Sequence, residues 1–226
     1  MALSFLAGKT PPLAAPSPAE DGSLSYFDGA LVMWNTTHAD GTFTTKQLFR
    51  KDSPHTGRGR QSTATPPLHV HLDQTETLEV LEGTMVGLID GVETTMAAPA
   101  KIVIAPGQVH TFWRAGAEGE GEDLLMQATG EGGHPACSFD ERLLNQRLTH
   151  GVHVSLRRAD GYLSSCVAAG VEPSPFQVFR FLDSAGVAVA APLGMGRVMN
   201  LALGRIGGGL LGYKTEYDEF AAKEAQ

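Results

Sequence analysis

Four residues of this 226-residue chain carry ligand chemistry at spacings that can bring them together: His69, His71, Glu76 and His110. His69 and His71 are two apart, so on a strand both imidazoles point to the same face. Glu76 follows after four intervening residues, and Gly83 after six more. Thirty-nine positions past His71, His110 follows the Pro106-Gly107 turn and leads into Thr111-Phe112-Trp113, an apolar and aromatic run that reads as a strand. Three imidazoles and one carboxylate delivered from strands make a divalent-metal site of intermediate hardness.

Such a set leaves a divalent ion with a net charge of about +1 and about two open positions, which admit water, dioxygen or a bidentate oxygen ligand. Structural zinc is usually closed by four ligands, often thiolates. The only cysteines, Cys137 and Cys166, lie away from these motifs. A catalytic site is therefore the expectation. Fe, Mn, Ni, Co, Cu and Zn all accept these ligands.

The pattern His-x-His, four residues, Glu, six residues, Gly, followed by Pro-Gly-x-x-His, resembles both motifs of the cupin superfamily. The resemblance covers residues 64 to 114, and the flanking strands extend it to about 25 to 132. It implies that His69, His71, Glu76 and His110 ligate one metal inside a small β-barrel. Three positions depart from the family pattern. Thr63 stands where a Gly usually precedes the first His, Pro99 where a Gly opens the second motif, and Arg114 where an Asn often follows the last His. None of the three is a ligand.

The rest of the chain must supply the strands that hold these groups. Asp40-Gly41 separates the apolar runs 31–34 and 42–49, and Asp90-Gly91 separates 84–89 from 92–96, each a hairpin signal. Strands over 101–105 and 123–129 complete a series of short strands with tight turns, as in a barrel or sandwich. Residues 51–65 are polar, basic and Gly-rich, and read as a loop that is either a rim or lid of the site or a crossing without a role. The expected fold is mainly β: one cupin-type, jelly-roll-like barrel over 25–135, after an arm over 1–24 rich in Pro, Ala and Ser.

Residues 136–226 read as a helical extension. Ser138-Phe139-Asp140-Glu141 is a capping box, and Ser174-Pro175 puts a proline at a first helical position. A helix over 161–169 ends at Gly170. The apolar stretch 186–213 contains Arg197, Arg205 and the triple Gly207-Gly208-Gly209, which argue against a membrane span. It is expected to pack on the barrel or on a second subunit. A net charge of −8 with no basic stripe excludes a nucleic-acid partner. Two unpaired thiols and no secretory leader point to the cytoplasm, and cupins commonly form homodimers.

Alternation sorts the neighbours of the ligands. If Glu76 points inward, so do Leu78 and Val80, while Thr77 and Glu79 point away. From His110 the inward partners are Phe112 and Arg114, with Trp113 outward. Phe112, Leu78, Val80, Gln47 and Phe49 are the expected walls of a substrate pocket. Glu76 is the expected base as well as a ligand. Arg114 either orients a substrate carboxylate or phenolate or forms a salt bridge at the barrel end.

The expected function is a metal-dependent oxidoreductase, most simply a dioxygenase acting on a phenolic or enolic small molecule, with iron the first choice of metal. Resemblance to small fungal and bacterial cupins with helical tails implies a secondary-metabolite substrate. The alternatives are a redox-neutral isomerase, cyclase, dehydratase or decarboxylase, and a cupin that binds a small molecule without turning it over.

Overall fold

The computed structural model describes residues 19–38, 42–71, 74–131, 162–184, 187–191 and 195–213. Two compact units divide the chain, Pro18–His150 and Gly151–Gln226 with Met1–Ser17.

The first unit is built from two antiparallel sheets. One runs in the order β1 (Leu24–Tyr26), β2 (Leu31–Thr37), β3 (Phe43–Phe49), β10 (Leu124–Glu131), β5 (Thr75–Glu82), β8 (Ala100–Ile104). The other contains β4 (His69–His71), β9 (Val109–Arg114), β6 (Thr84–Ile89) and β7 (Val92–Ala97), in that order. This is the mainly β architecture that the strand pattern predicts. β2 and β3 pair from Leu31–Phe49 to Thr37–Phe43, although the Asp40-Gly41 turn itself lies outside the described residues. Asp90 and Gly91 both take left-handed backbone (φ 49° and 83°), as a primed hairpin turn requires.

Register decides which side chains meet inside. On the first sheet Leu31, Phe49 and Leu124 form one inward row, and Met33, Gln47, Met126 and Val80 the next. Asn35, Thr45, Ala128 and Leu78 follow, and Glu76 lies one row further, opposite Gly130 and Ile104. Met85 and Phe112 face them from the second sheet, and the aliphatic and aromatic members of these rows are nearly all buried. Each large apolar side chain so buried contributes about 1.5–3 kcal/mol. The interior is therefore largely apolar, with its ionisable side chains at the two ends, Glu76 at one and Arg114 at the other.

The outer face of the second sheet is also covered. Trp113, Val86 and Leu88 form a buried cluster with Leu68 and Ala115 packed against it. The Gly-rich loop lies over this cluster: its short 3-10 turn, Gly59–Gln61, puts Gly59 beside the Trp113 indole. Ala64 donates to the His55 carbonyl, and the Thr111 hydroxyl donates to the Pro66 carbonyl. The loop is neither a lid nor a roleless crossing. It is the cover that lets an outward Trp be 8% exposed.

In the second unit helix α1, over 162–169, ends at Gly170 in left-handed backbone (φ 63°), with Val171 N–H closing on the Cys166 carbonyl. Ser174 begins α2 (Pro175–Ser184), its carbonyl accepting from Gln177 and Val178. The apolar stretch then forms a short strand, Val187–Val189, and a helix, Met195–Met199, that widens to a π-helix over Asn200–Gly208. Gly204 lets this helix approach the backbone of Phe179 on α2, where a Cβ would sit 2.5 Å from the Phe179 oxygen. Within its own unit the stretch packs on α2. No helix among the described residues is long and apolar enough to cross a membrane. The expected helix at Ser138–Leu148 lies outside the described residues, as does Cys137.

Two positions around the Gly83 turn lend themselves to test. Gly83 has φ 77°, and a Cβ there would run into the Asp123 carbonyl. Gly83→Ala should cost about 2–4 kcal/mol, read from the urea midpoint. The Asp123 carboxylate accepts from Lys51 N–H at 2.8 Å and from Arg50 Nη1 at 3.0 Å. Burial alone would raise its pKa, but these donors hold it below the ordinary carboxylate value. A depressed folded pKa stabilises above the unfolded value and loses that contribution as pH falls through the folded one. The stability gap between wild type and Asp123→Asn should be full at pH 7 and close below about pH 4 in paired urea titrations.

Candidate metal centre

β4 pairs with β9 so that His69 lies directly opposite His110. The ring centroids of His69 and His110 are 4.3 Å apart, and that of His71 is 5.1 Å and 5.3 Å from them. Glu76, from the facing sheet, completes the group. One ligand atom from each of His69, His71, Glu76 and His110 lies within 4.8 Å of all the others. All three histidines are buried, with His110 fully enclosed.

Backbone carbonyls orient two of the rings. His69 Nδ1 donates to the Pro67 carbonyl at 2.7 Å, and His110 Nδ1 donates to the Gln108 carbonyl at 3.0 Å. With Nδ1 carrying the proton, Nε2 is left as the ligand atom of each. Proline has no N–H, so Pro67 gives the chain an extended approach whose carbonyl is unclaimed by a helix or ladder. The second motif is braced in the same way. Asp90 accepts from Val109 N–H at 3.0 Å and from Gln108 Nε2 at 2.9 Å, while Gln108 Oε1 accepts from Ala105 N–H at 2.8 Å. The turn before His110 is thereby fixed to the β6–β7 hairpin.

The electrostatics fit a cation held by neutral imidazoles. Burial, then the neighbouring His110 and His71, pushes His69 down to about 3. Burial also lowers His71. His110 is the exception: burial opposes its charge, but the 2.9 Å bond from Nε2 to Glu76 Oε2, with the Glu76 charge, raises it. Burial would raise Glu76, yet the His110 bond and the imidazoles hold it low. Glu76 and His110 thus favour each other's charged forms, while burial favours the neutral forms of His69 and His71.

The clearest sign of a missing partner is His71. Both of its ring nitrogens are buried without a hydrogen bond of good geometry, although the Gln74 side chain interacts with the ring, and its Nε2 is 3.7 Å from Glu76 Oε2. Leaving a buried polar group unsatisfied costs about 1–3 kcal/mol. A divalent ion among the four groups would satisfy His71, displace the proton shared by His110 and Glu76, and neutralise the carboxylate. The donor set therefore fits a transition metal.

One expectation from the sequence is corrected. Arg114 does point inward and is 1% exposed, but at the end of the barrel away from the histidines, where it pairs with Met85. Its Nη1 donates to the carbonyls of Ala115, Glu120 and Glu122, and its Nη2 to those of Gly116 and Ala117. The guanidinium is the template around which loop 115–122 is wound. It is neither a substrate anchor nor a salt bridge. Phe49, Leu78, Val80 and Phe112 are each between 1% and 3% exposed, with Phe49 and Phe112 edge to face at 6.2 Å. They pack as an enclosed apolar layer of the interior. Gln47 remains half-buried on the inner face.

No protein-family model matches the chain. It is 29% identical over 154 residues to a Pestalotiopsis fici protein named oxidoreductase iacF, covering 68% of each chain. It is 28% identical over 187 residues to probable oxidoreductase virH of Hypocrea virens, covering 80% of this chain and 78% of that one. It is 26% identical over 214 residues to probable oxidoreductase yanE of Aspergillus niger, covering 89% and 77%. Among solved structures it is similar to an RmlC-like cupin from Shewanella frigidimarina, with a TM-score of 0.38 and 16% identity over 52% of this chain and 90% of that one. It is similar to Fe(II) HppE with a TM-score of 0.37 and 16% identity, over 52% and 59%.

Substitution should separate the metal-facing and structural roles. His71→Leu removes an unsatisfied buried ring, so metal-free protein should be no less stable while metal content falls to background. Arg114→Gln should cost about 2–4 kcal/mol through loss of the charged hydrogen bonds and leave metal content intact. Elemental analysis beside thermal melts reads both, and a reversed pattern would refute the assignment.

Proposed function

We propose that the chain is a metal-dependent cupin enzyme in which His69, His71, Glu76 and His110 hold one divalent transition metal, iron being the first choice. The reading is carried by one observation: four ligand atoms converge within 4.8 Å, and one of the rings makes no hydrogen bond of good geometry. The three relatives named as oxidoreductases or probable oxidoreductases support an oxidoreductase in the broad sense. Within that class the reaction is a dioxygenation of a phenolic or enolic small molecule, of the kind found in secondary metabolism.

A bound redox-active metal supplies Lewis-acid charge and electron transfer to dioxygen. The chain's own residues do the rest. Pro67 and Gln108 carbonyls lock the ring orientations of His69 and His110. The enclosed apolar layer of Phe49, Leu78, Val80 and Phe112 excludes water from that part of the interior. Glu76, the anionic member of the ligand set, is the base placed to take the hydrogen that a phenol or enol would lose.

The test is metal content on protein purified without added metal, with dioxygen uptake after anaerobic iron loading across a panel of catechols and 1,3-diketones. Iron, copper or manganese with uptake dependent on His110 supports the reading. A loaded protein that consumes no dioxygen but isomerises or dehydrates members of the panel would establish the redox-neutral alternative. A protein that takes up no metal would overturn both.

A further inference from the structure

The three imidazoles of the centre are not held alike. His69 and His110 each donate from Nδ1 to the carbonyl two residues upstream, at 2.7 Å and 3.0 Å. His71 has no such carbonyl: both of its ring nitrogens are buried, and neither makes a hydrogen bond of good geometry. Its Nε2 lies 3.7 Å from Glu76 Oε2, so Nε2 is the nitrogen that a metal shared with Glu76 would take. Outside the ligand set, Gln74 is the side chain that interacts with this ring. It lies three residues after His71 and two before Glu76. Continuing the alternation of β5 back by two places turns Gln74 to the same inward side as Glu76, and it is 8% exposed.

A neutral imidazole that gives one nitrogen to a metal keeps its proton on the other, and a buried N–H needs an acceptor. Metal-bound histidines nearly always find one in a carbonyl, a carboxylate or a water, and losing it typically weakens metal binding about 10–100-fold. Backbone carbonyls serve His69 and His110. For His71 the side-chain oxygen of Gln74 can fill that place, on a residue whose own amide is buried and gains from the bond. An amide also differs from a carboxylate in charge. It accepts the hydrogen bond without adding an anion, so Glu76 stays the only negative group in the ligand set and the metal keeps its net positive charge.

We infer that Gln74 is the positioning residue of the third ligand: its side-chain oxygen accepts from His71 Nδ1–H in the loaded centre and sets the ring so that Nε2 meets the metal. The inference rests on the metal-centred reading above and adds to it a residue that is not itself a ligand.

Full-length protein loaded with cobalt(II) tests it by proton NMR. The Nδ1–H of each coordinated histidine gives a paramagnetically shifted signal that is present in H2O and absent in D2O. One signal is expected for each of His69, His71 and His110. Gln74→Met keeps the length of the side chain and removes the acceptor. The signal of His71 should then be lost to solvent exchange while the other two persist, and cobalt affinity by competition titration should fall about 10–100-fold. Gln74→Glu keeps an acceptor, so it should retain all three signals, shift that of His71 alone and bind cobalt at least as tightly as wild type. Thermal melts verify folding, and Gln74→Glu keeps the test alive if Gln74→Met fails to fold. A protein that takes up no cobalt would overturn the metal reading and this inference with it. A packing role would lower the melting temperature and leave the signals in place. Cobalt bound with all three signals indifferent to Gln74→Met, or with none of them moved by Gln74→Glu, would therefore overturn this inference alone.

Discussion

The pairing of β4 with β9 is the constraint on which the centre depends. It sets His69 against His110 and turns both, with His71, toward the facing sheet. Because side chains alternate across a strand, a slip of one residue would turn the imidazoles outward and bring Val70 and Val109 in. Two devices hold the register, and both use the backbone. The Thr111 hydroxyl ties β9 to the Pro66 carbonyl, and Asp90 ties the Gln108 turn to the β6–β7 hairpin. The rings of His69 and His110 are then aimed by the carbonyls two residues upstream of each. Rigid strands and local carbonyls together leave the centre little freedom, which a metal site needs in order not to spend affinity on ordering its ligands.

The barrel keeps its two polar features apart. At one end the histidines and Glu76 offset one another's burial, and His71 is left unsatisfied. At the other, Arg114 gives five hydrogen bonds to one loop. Between them lies an enclosed apolar layer. A guanidinium near the centre would compete with a metal for Glu76 and raise the electrostatic cost of binding a cation. Sequestering it among carbonyls removes that conflict and supplies the loop with order that its glycines cannot.

How much of this was legible beforehand varies with the range of the interactions. The ligand set could be read because His-x-His, Glu76 and His110 are fixed by strand period and turn chemistry, both local. The inward direction of Leu78 and Val80 followed from the same alternation, as did the hairpin at Asp90-Gly91. Trp113 was rightly placed on the outer face, yet its burial depends on a loop some fifty residues earlier in the chain, a contact with no signal in either stretch.

The sequence by itself determined the mainly β architecture, the turns that reverse it, and the types and spacing of the groups that can hold a metal, because each of these is a property of a few consecutive residues. Tertiary structure alone decided what those groups and their neighbours are able to do. Arg114 is inward in either account, but whether an inward arginine meets a ligand or a ring of carbonyls depends on how the loop that follows it folds back. Phe49 and Phe112 face inward in either account as well, and only the closeness of the two sheets sets them edge to face at 6.2 Å. Direction is local; distance across the barrel and exclusion of water are set by the whole fold.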